Sequence, residues 1–225
     1  MEDVYMKVSA DNQLQDSEYV KFFGDGKTLK VTFLGNSITR HGRKDDIGWF
    51  WDFGMAASCK EKDYVHLLAT YIDQYKPAAY CISQIAAWEF VYKTGNTTLA
   101  SFEAARNFSA DILIVKLGAN CPKADFDKEA FVREFELLLN YHNPEGKAKI
   151  YIAGDFYHHV VNDIIEQYAL KKGYPFIKLE DLSDDPNMRA YGLFEHGGVA
   201  GHPGDAGMKA IADRIWEMIK STIVS

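Results

Sequence analysis

The chain lacks the residues and patterns that several large functional classes require. Its 225 residues contain only 3 cysteines, and their odd number without metal-like spacing predicts reduced, buried thiols rather than a disulfide framework. No apolar run is long enough to span a bilayer. The formal net charge is −7 at pH 7. This charge argues against a nucleic-acid-binding protein, because such a protein needs a basic face.

Signals for export, phosphate binding and metal binding are also missing. Residues 1–16 are acidic and polar, so no secretory signal peptide is visible, and we expect a cytoplasmic protein unless a leader has been removed. The segment from Gly35 to Thr39 lacks the spacing of a phosphate-binding loop, and no His, Cys and carboxylate cluster has the ligand spacing of a zinc site. We therefore expect no metal, no cofactor, and neither nucleic acid nor membrane as a partner.

Short apolar runs alternate with amphipathic segments along the chain. Five runs indicate strands, namely residues 29–35, 78–83, 111–117, 148–153 and 175–179. Four segments have apolar residues at helical spacing, namely residues 64–75, 131–139, 161–168 and 208–219. Apolar strands that alternate with helices predict a mainly parallel sheet covered on both faces. The sequence therefore predicts one flavodoxin-like, three-layer α/β/α domain over residues 1–225, in which residues 1–26 form an N-terminal extension.

Three polar segments fall at one predicted edge of this sheet. They are Gly35-Asn36-Ser37-Ile38-Thr39 after the first strand, Gly118-Ala119-Asn120 after the third, and Gly201-His202-Pro203-Gly204-Asp205 before the last helix. In an open α/β sheet these positions meet at the carboxyl edge, where ligands bind. A serine, an asparagine and a histidine in one cleft provide a nucleophile, an oxyanion donor and a base. The combination predicts acyl transfer.

This set of segments resembles the SGNH, or GDSL-like, hydrolase family of esterases and lipases. The resemblance implies that Ser37 is the nucleophile, His202 the base and Asn120 an oxyanion donor. It also implies hydrolysis of an ester through an acyl-enzyme on Ser37, without a cofactor. The family's second block offers a further backbone N–H to the oxyanion, and here this donor would be near Ala86 or Ala87, of which Ala87 is preferred.

Four departures from the family pattern accompany this resemblance. The usual Gly-Asp-Ser-Leu is Gly-Asn-Ser-Ile, and the aspartate after Gly-x-Asn is Cys121. The aspartate three residues before the histidine is Val199. The second block, Ser83-Gln84-Ile85-Ala86-Ala87-Trp88, contains no glycine.

The missing aspartate leaves open which group orients the imidazole of His202. The alternatives are Glu195, Asp205, or a backbone carbonyl in a Ser-His dyad. Glu195 is preferred, because the glycines between it and His202 would let the segment fold back to the ring. Other histidines also come into consideration: His158, His159 and His196 are alternative bases, and His41 could line the site.

Aromatic residues indicate the class of substrate. Trp49, Phe50, Trp51 and Phe53 lie in the loop after Ser37, and Trp88 follows the second predicted strand. Aromatic rings at the mouth of a cleft suit a carbohydrate, so Trp49, Trp51 and Trp88 are predicted to bind substrate. Family members with Gly-Asn-Ser first blocks resemble glycan deacetylases, and the lack of a long apolar lid favours a short acyl group such as acetyl.

Other functions remain open at the level of sequence. The departures at Val199 and in the second block would fit a non-catalytic carbohydrate-binding protein on the same fold. The fold alone would also suit a flavodoxin-like nucleotide or regulatory module. Among hydrolases, a lysophospholipase or thioesterase is the alternative to a carbohydrate esterase.

Overall fold

The computed structural model describes residues 15–94 and 98–224. A six-stranded sheet with the order β1-β3-β2-β4-β5-β6 forms its centre. The strands are β1 (Val20–Phe23), β2 (Lys30–Gly35), β3 (Ala79–Gln84), β4 (Ile112–Lys116), β5 (Lys149–Ala153) and β6 (Phe176–Ile177). Strands β2 to β6 pair in parallel, whereas β1 pairs antiparallel with β3 at the edge of the sheet.

Helices cover both faces of the sheet. They are α1 (Tyr64–Asp73), α2 (Ala86–Val91), α3 (Glu103–Phe108), α4 (Lys128–His142), α5 (Val160–Lys172), α6 (Gly197–Ala200) and α7 (Asp205–Val224). Helices α1 and α7 pack on one face around Phe33, and α4 and α5 pack on the other around Leu34. Alternate residues of β2 thus enter opposite cores, as the twofold repeat of a strand requires. None of the described helices combines the length and the apolarity needed to cross a membrane.

Side-chain caps explain where two of the longer helices begin. The carboxylate of Asp63 accepts a hydrogen bond from the backbone N–H of His66 in α1. Asp127 does the same for Ala130 in α4. Such caps satisfy N–H groups that have no acceptor within the helix.

The predicted α/β sandwich is confirmed, and each of the five predicted strands is present with ends within two residues of the prediction. The sixth strand, β1, was not predicted, because it lies inside the segment assigned to an N-terminal extension. Residues 1–14 of that segment lie outside the described residues.

Strand β1 is also connected to the chain that follows Ser37. One guanidinium nitrogen of Arg40 donates to the backbone carbonyl of Glu18 at 2.6 Å, and the other lies 2.6 Å from the carboxylate of Asp52. Lys21 of β1 reaches the same carboxylate at 3.7 Å. The edge strand and the loop at the carboxyl edge are therefore held together by one charged cluster.

Candidate active site

Ser37 lies in a tight turn directly after β2. The carbonyl of Asn36 accepts hydrogen bonds from the backbone N–H groups of Thr39 at 2.9 Å and Arg40 at 3.0 Å. The turn comes so close to the strand that a Cβ on Gly35 would lie 1.9 Å from Oγ1 of Thr39. Gly35 is therefore needed for the turn, which holds the half-buried Ser37 at the carboxyl edge of the sheet.

Asn120 reaches the same edge through a turn after β4. Gly118 has a φ of +131°, and a Cβ there would lie 2.4 Å from Cγ1 of Val161 on α5. Both observations require glycine at this position. The turn closes with a hydrogen bond from the N–H of Cys121 to the carbonyl of Gly118 at 3.1 Å, and Asn120 is left half-buried.

The third segment brings the imidazole of His202 to Ser37. Oγ of Ser37 and Nε2 of His202 are 2.8 Å apart, and Nδ1 of His202 lies 2.6 Å from the backbone carbonyl of Gly198. A carbonyl only accepts hydrogen bonds, so Nδ1 carries the proton of the neutral ring. Nε2 is then the acceptor for the hydroxyl of Ser37. This tautomer is the one that a base for Ser37 needs.

The electrostatic surroundings keep His202 neutral. Burial lowers its pKa to about 4, and the hydrogen bond to Gly198 offsets only part of this effect. The positive charge of Lys116 lowers the pKa of His202 further. Lys116 is itself fully buried at the end of β4, with its ammonium 3.3 Å from the carboxylate of Asp155. At neutral pH the ring is therefore unprotonated and able to take a proton.

The backbone of the histidine segment is fixed by its neighbours. The carbonyl of His202 accepts from the N–H of Ala190 at 2.9 Å, and the N–H of Gly204 donates to the carbonyl of Met188 at 3.0 Å. The guanidinium of Arg189 donates to the carbonyl of Gly201 at 3.1 Å. These contacts hold the imidazole on a rigid segment between α6 and α7.

The preferred acid, Glu195, does not occupy the place predicted for it. The Gly198 carbonyl takes the hydrogen bond from Nδ1, and the side chain of Glu195 is exposed. Asp205 is also engaged elsewhere, because its carboxylate accepts from the N–H of Ser58 at 2.8 Å and pairs with Lys62. The prediction of Glu195 is therefore corrected to the backbone-carbonyl alternative. The physical reason is that the one-turn helix α6 folds its own carbonyl onto the ring.

The alternative histidines make other contacts. Nε2 of His158 lies 2.7 Å from a carboxylate oxygen of Asp184. Nε2 of His159 lies 3.1 Å from the carbonyl of Cys121. His41 is half-buried, with Nδ1 2.6 Å from the carbonyl of Gly42. A positive charge on His41, like the charge of Lys116, would lower the pKa of His202. His196 is exposed at the start of α6.

Two of the three tryptophans predicted to bind substrate belong to the core. Trp49 is fully buried and donates its indole N–H to the carbonyl of His41 at 3.0 Å. Trp88 is buried on the inner side of α2, against Phe131. These two predictions are corrected, because tertiary packing draws both rings inward. Trp51 remains available, since 43% of its surface is exposed.

The second oxyanion donor was predicted at Ala87. This residue lies in the first turn of α2, directly after β3, and is half-buried. The N–H groups in the first turn of a helix have no acceptor within the helix. The N–H of the neighbouring Ala86 is already engaged by the side chain of Gln84 at 3.2 Å. Of Ala86 and Ala87, Ala87 is therefore the better candidate for the second oxyanion donor.

A buried glutamate under the site was not anticipated from the sequence. Glu89 on α2 is fully buried, and its carboxylate accepts hydrogen bonds from the side-chain amides of Asn36 at 3.1 Å and Asn120 at 2.5 Å. It also accepts from the backbone N–H of Gly118. One carboxylate thus contacts both polar segments that follow β2 and β4. The sequence feature that could have indicated this residue is a single charged side chain inside the apolar stretch Ala86-Ala87-Trp88-Glu89-Phe90-Val91.

The charge of Glu89 should reduce stability at high pH. Burial raises its pKa from 4.5 to about 7, against the opposing effect of its hydrogen bonds. A pKa raised by folding means that the folded state binds the proton more tightly, so stability is lost as pH rises from about 4.5 to about 7. We expect Glu89→Gln to lack this loss. Thermal unfolding at about pH 5 and about pH 8 should show the variant gaining relative to the wild type at the higher pH, and a constant difference would contradict the assignment.

We compared the chain with known protein families, curated proteins and solved structures. A scan against protein-family models and a search of curated proteins found no match. Among solved structures, a family two carbohydrate esterase from Clostridium thermocellum in complex with cellohexaose has a TM-score of 0.56 and 16% identity, over 88% of this chain and 66% of that one. A catalytic mutant of Axe2, an acetylxylan esterase from Geobacillus stearothermophilus, has a TM-score of 0.51 and 18% identity, over 88% and 96%.

A third similar structure is a two-domain esterase active on acetylated mannans, co-crystallised with mannopentaose. Its TM-score is 0.53 and its identity 18%, over 88% of this chain and 51% of that one. This chain therefore spans about half of that esterase and 66% of the Clostridium thermocellum one. The likeness shows that the chain shares the α/β fold of these esterases, which is the fold that the sequence predicted.

Proposed function

We propose that this protein is a serine esterase that removes short acyl groups, most simply acetyl, from carbohydrate. The observation that carries the proposal is the 2.8 Å contact between Oγ of Ser37 and Nε2 of His202, with the opposite ring nitrogen on the carbonyl of Gly198. A hydroxyl paired with an oriented neutral base is the arrangement that activates a serine nucleophile. Burial of His202, together with the nearby positive charge of Lys116, supports the same assignment, because both lower its pKa and keep the base unprotonated.

The reaction proceeds in two displacements. His202 takes the proton of Ser37 as Oγ bonds to the ester carbonyl carbon, and the resulting imidazolium gives that proton to the alkoxide as the bond to the sugar oxygen breaks. Water then loses a proton to His202 and attacks the acyl-enzyme. The same proton returns to Oγ as the acid leaves, so serine and imidazole are regenerated. The Gly198 carbonyl keeps the hydrogen bond to Nδ1 throughout.

The negative charge on the carbonyl oxygen requires donors that are already in place. The side-chain amide of Asn120, the N–H of Ala87 and the N–H of Ser37 are the proposed set. All three residues are half-buried at the carboxyl edge of neighbouring strands, β4, β3 and β2. Fixed donors in a partly dry site stabilise an oxyanion more than water does, because they need no reorganisation.

A groove whose lining does not include Ser37 or His202 is the proposed place for the sugar. Its volume is about 660 Å³, and it lies between the loop after Ser37 and the segment before α6. Its lining includes Phe50, Phe194 and Glu195, which combine apolar surface with a hydrogen-bond acceptor. This mixture suits the apolar faces and hydroxyl edges of a sugar, and the exposed Trp51 packs edge-on against Phe50. Glu195 would then contact substrate rather than His202.

The structural neighbours support the same class of substrate. One is an esterase in complex with cellohexaose, one an acetylxylan esterase, and one an esterase active on acetylated mannans. The experiment that tests the proposal compares purified protein on aryl acetate, butyrate and octanoate and on acetylated xylo- and manno-oligosaccharides. We expect acetyl esters to be the best substrates. Preference for long acyl chains would favour a lysophospholipase or thioesterase instead, and no hydrolysis alongside glycan binding would favour a non-catalytic protein.

Loss of the Asn120 amide should affect the chemical step more than binding. We expect Asn120→Ala to lower kcat by about 10²- to 10³-fold with little change in KM, because an oxyanion donor acts in the transition state. Steady-state kinetics on an aryl acetate measure both constants. Asn140→Ala, at an exposed position on α4, is the matched control. A raised KM with unchanged kcat would make Asn120 a substrate-binding residue.

A further inference from the structure

We propose that Glu89 is a positioning residue of this site: its buried carboxylate orients the amide of Asn120 toward the oxyanion and ties it to the turn that carries Ser37. This inference rests on the proposed hydrolysis and adds to it a group that does not touch the substrate. The three donors to Glu89 come from the two segments whose relative position matters for the reaction. Asn36 directly precedes Ser37, and Gly118 begins the turn that carries Asn120.

The contacts of Glu89 require a carboxylate rather than any polar group. Oε1 accepts from the amide of Asn36 and from the N–H of Gly118, and Oε2 accepts from the amide of Asn120. All the partners are donors, and the ionised carboxylate, which prevails above its pKa of about 7, only accepts. A glutamine has the same shape but would turn its own NH₂ group toward one of these donors. A buried donor facing a donor loses its hydrogen bond and its solvation together.

The amide of Asn120 has two N–H groups, and Glu89 uses one of them. The second is directed away from the carboxylate. Because Glu89 is fully buried and Asn120 only half-buried, we infer that the second N–H faces the cleft. Because Glu89 holds one N–H of the Asn120 amide, the direction of the other N–H is set before substrate binds. An oxyanion donor needs this preorganisation.

The same contact gives a reason for asparagine in the first block. The nitrogen of the Asn36 side chain lies 3.1 Å from Oε1 of Glu89. An aspartate at position 36 would place two carboxylates at this distance, and like charges so close cannot both be ionised. Asn36 and Glu89 are thus complementary. The departure of Gly-Asn-Ser from Gly-Asp-Ser goes together with the carboxylate that α2 brings into the site.

The burial of Glu89 argues against a role in packing alone. The carboxylate has no cationic partner among its hydrogen-bond donors, and Asp155 adds a like charge nearby. An apolar side chain at this position would avoid the cost of placing a charge in the core. Costly polar groups are retained most often where function requires them, because most positions tolerate a more stable alternative.

The test compares Glu89→Gln with Glu134→Gln. Glu134 is a second buried glutamate, on α4, and its carboxylate pairs with Arg133. On an aryl acetate at about pH 8, above the pKa of Glu89, we expect Glu89→Gln to lower kcat by about 10- to 100-fold, as for other groups that act by orienting a functional side chain, with KM changed by less than about threefold. Glu134→Gln should leave both constants unchanged. Circular dichroism and thermal unfolding establish that both variants are folded, and Glu89→Asp, which keeps the charge, should recover part of kcat.

A readout that does not depend on activity separates this inference from the proposed function. The side-chain ¹H–¹⁵N signals of Asn36 and Asn120 should shift in Glu89→Gln and stay in place in Glu134→Gln. Normal kcat in Glu89→Gln, or unchanged Asn120 signals, would overturn the positioning role while leaving the esterase intact. A wild type without hydrolysis would instead overturn the proposed function, and the amide signals would still decide whether Glu89 holds Asn120.

Discussion

Replacing Ser37 by alanine should reduce ester hydrolysis by on the order of 10⁴-fold or more, because it removes the atom that attacks the carbonyl. Ser37 is half-buried and its Oγ makes a hydrogen bond to His202, so loss of that atom should leave the fold intact. A fluorophosphonate reacts covalently with an activated serine and reports the same property without a substrate. We expect the mass shift on the peptide that contains Ser37, and no such label in the alanine variant.

Ser101→Ala is the matched control for this experiment, because Ser101 is exposed and lies outside the carboxyl edge of the sheet. It should keep both full activity and full labelling. Labelling of another serine, or full activity in Ser37→Ala, would contradict the proposal that Ser37 is the nucleophile. Since the label needs no knowledge of the natural ester, this experiment decides the chemistry before the substrate is identified.

His202→Ala should reduce hydrolysis by about 10³-fold or more, because no other described group contacts Oγ of Ser37 to take its proton. The variant should also react slowly with the fluorophosphonate. His158→Ala is the control, since that histidine is exposed and pairs with Asp184. Activity that survives in His202→Ala would require a different base.

Glu195→Gln, measured beside His202→Ala, decides between a dyad and a triad. With the Gly198 carbonyl on Nδ1, the amide substitution should lower kcat by less than about tenfold. A carboxylate that orients the ring would instead cost about 10⁴-fold when replaced by an amide, through the wrong tautomer. A large loss in Glu195→Gln would therefore show that the segment before α6 rearranges when substrate binds.

The parallel strands could be predicted from the sequence because each is a short, mostly apolar run between polar residues. Strand β1 could not, because it has four residues, of which three are only half-buried, and its partner β3 is distant in sequence. In open α/β sheets, functional residues gather at the carboxyl edge, so the proximity of Ser37 and His202 could be predicted from the sequence.

The rest of the site depends on tertiary packing that no local pattern records. The acceptor on His202 is a backbone carbonyl, and a carbonyl has no sequence signature, since every residue carries one. Trp49 and Trp51 are two residues apart in one loop, yet one is fully buried and the other is 43% exposed. Glu89 became recognisable only when the two turns that it joins were seen together.

The cluster formed by Arg40, Asp52 and β1 has a practical consequence for where the chain can be shortened. Strand β1 covers the outer edge of β3, and a bare strand edge is a template for aggregation. Arg40, three residues after Ser37, holds the carbonyl of Glu18. A truncated protein that begins after Phe23 would lose both the cover and this anchor. Asp16 accepts a hydrogen bond from the backbone N–H of Phe22 in β1. A fusion joint should therefore preserve the chain from Asp16 onward, although β1 itself contributes none of the proposed chemical groups.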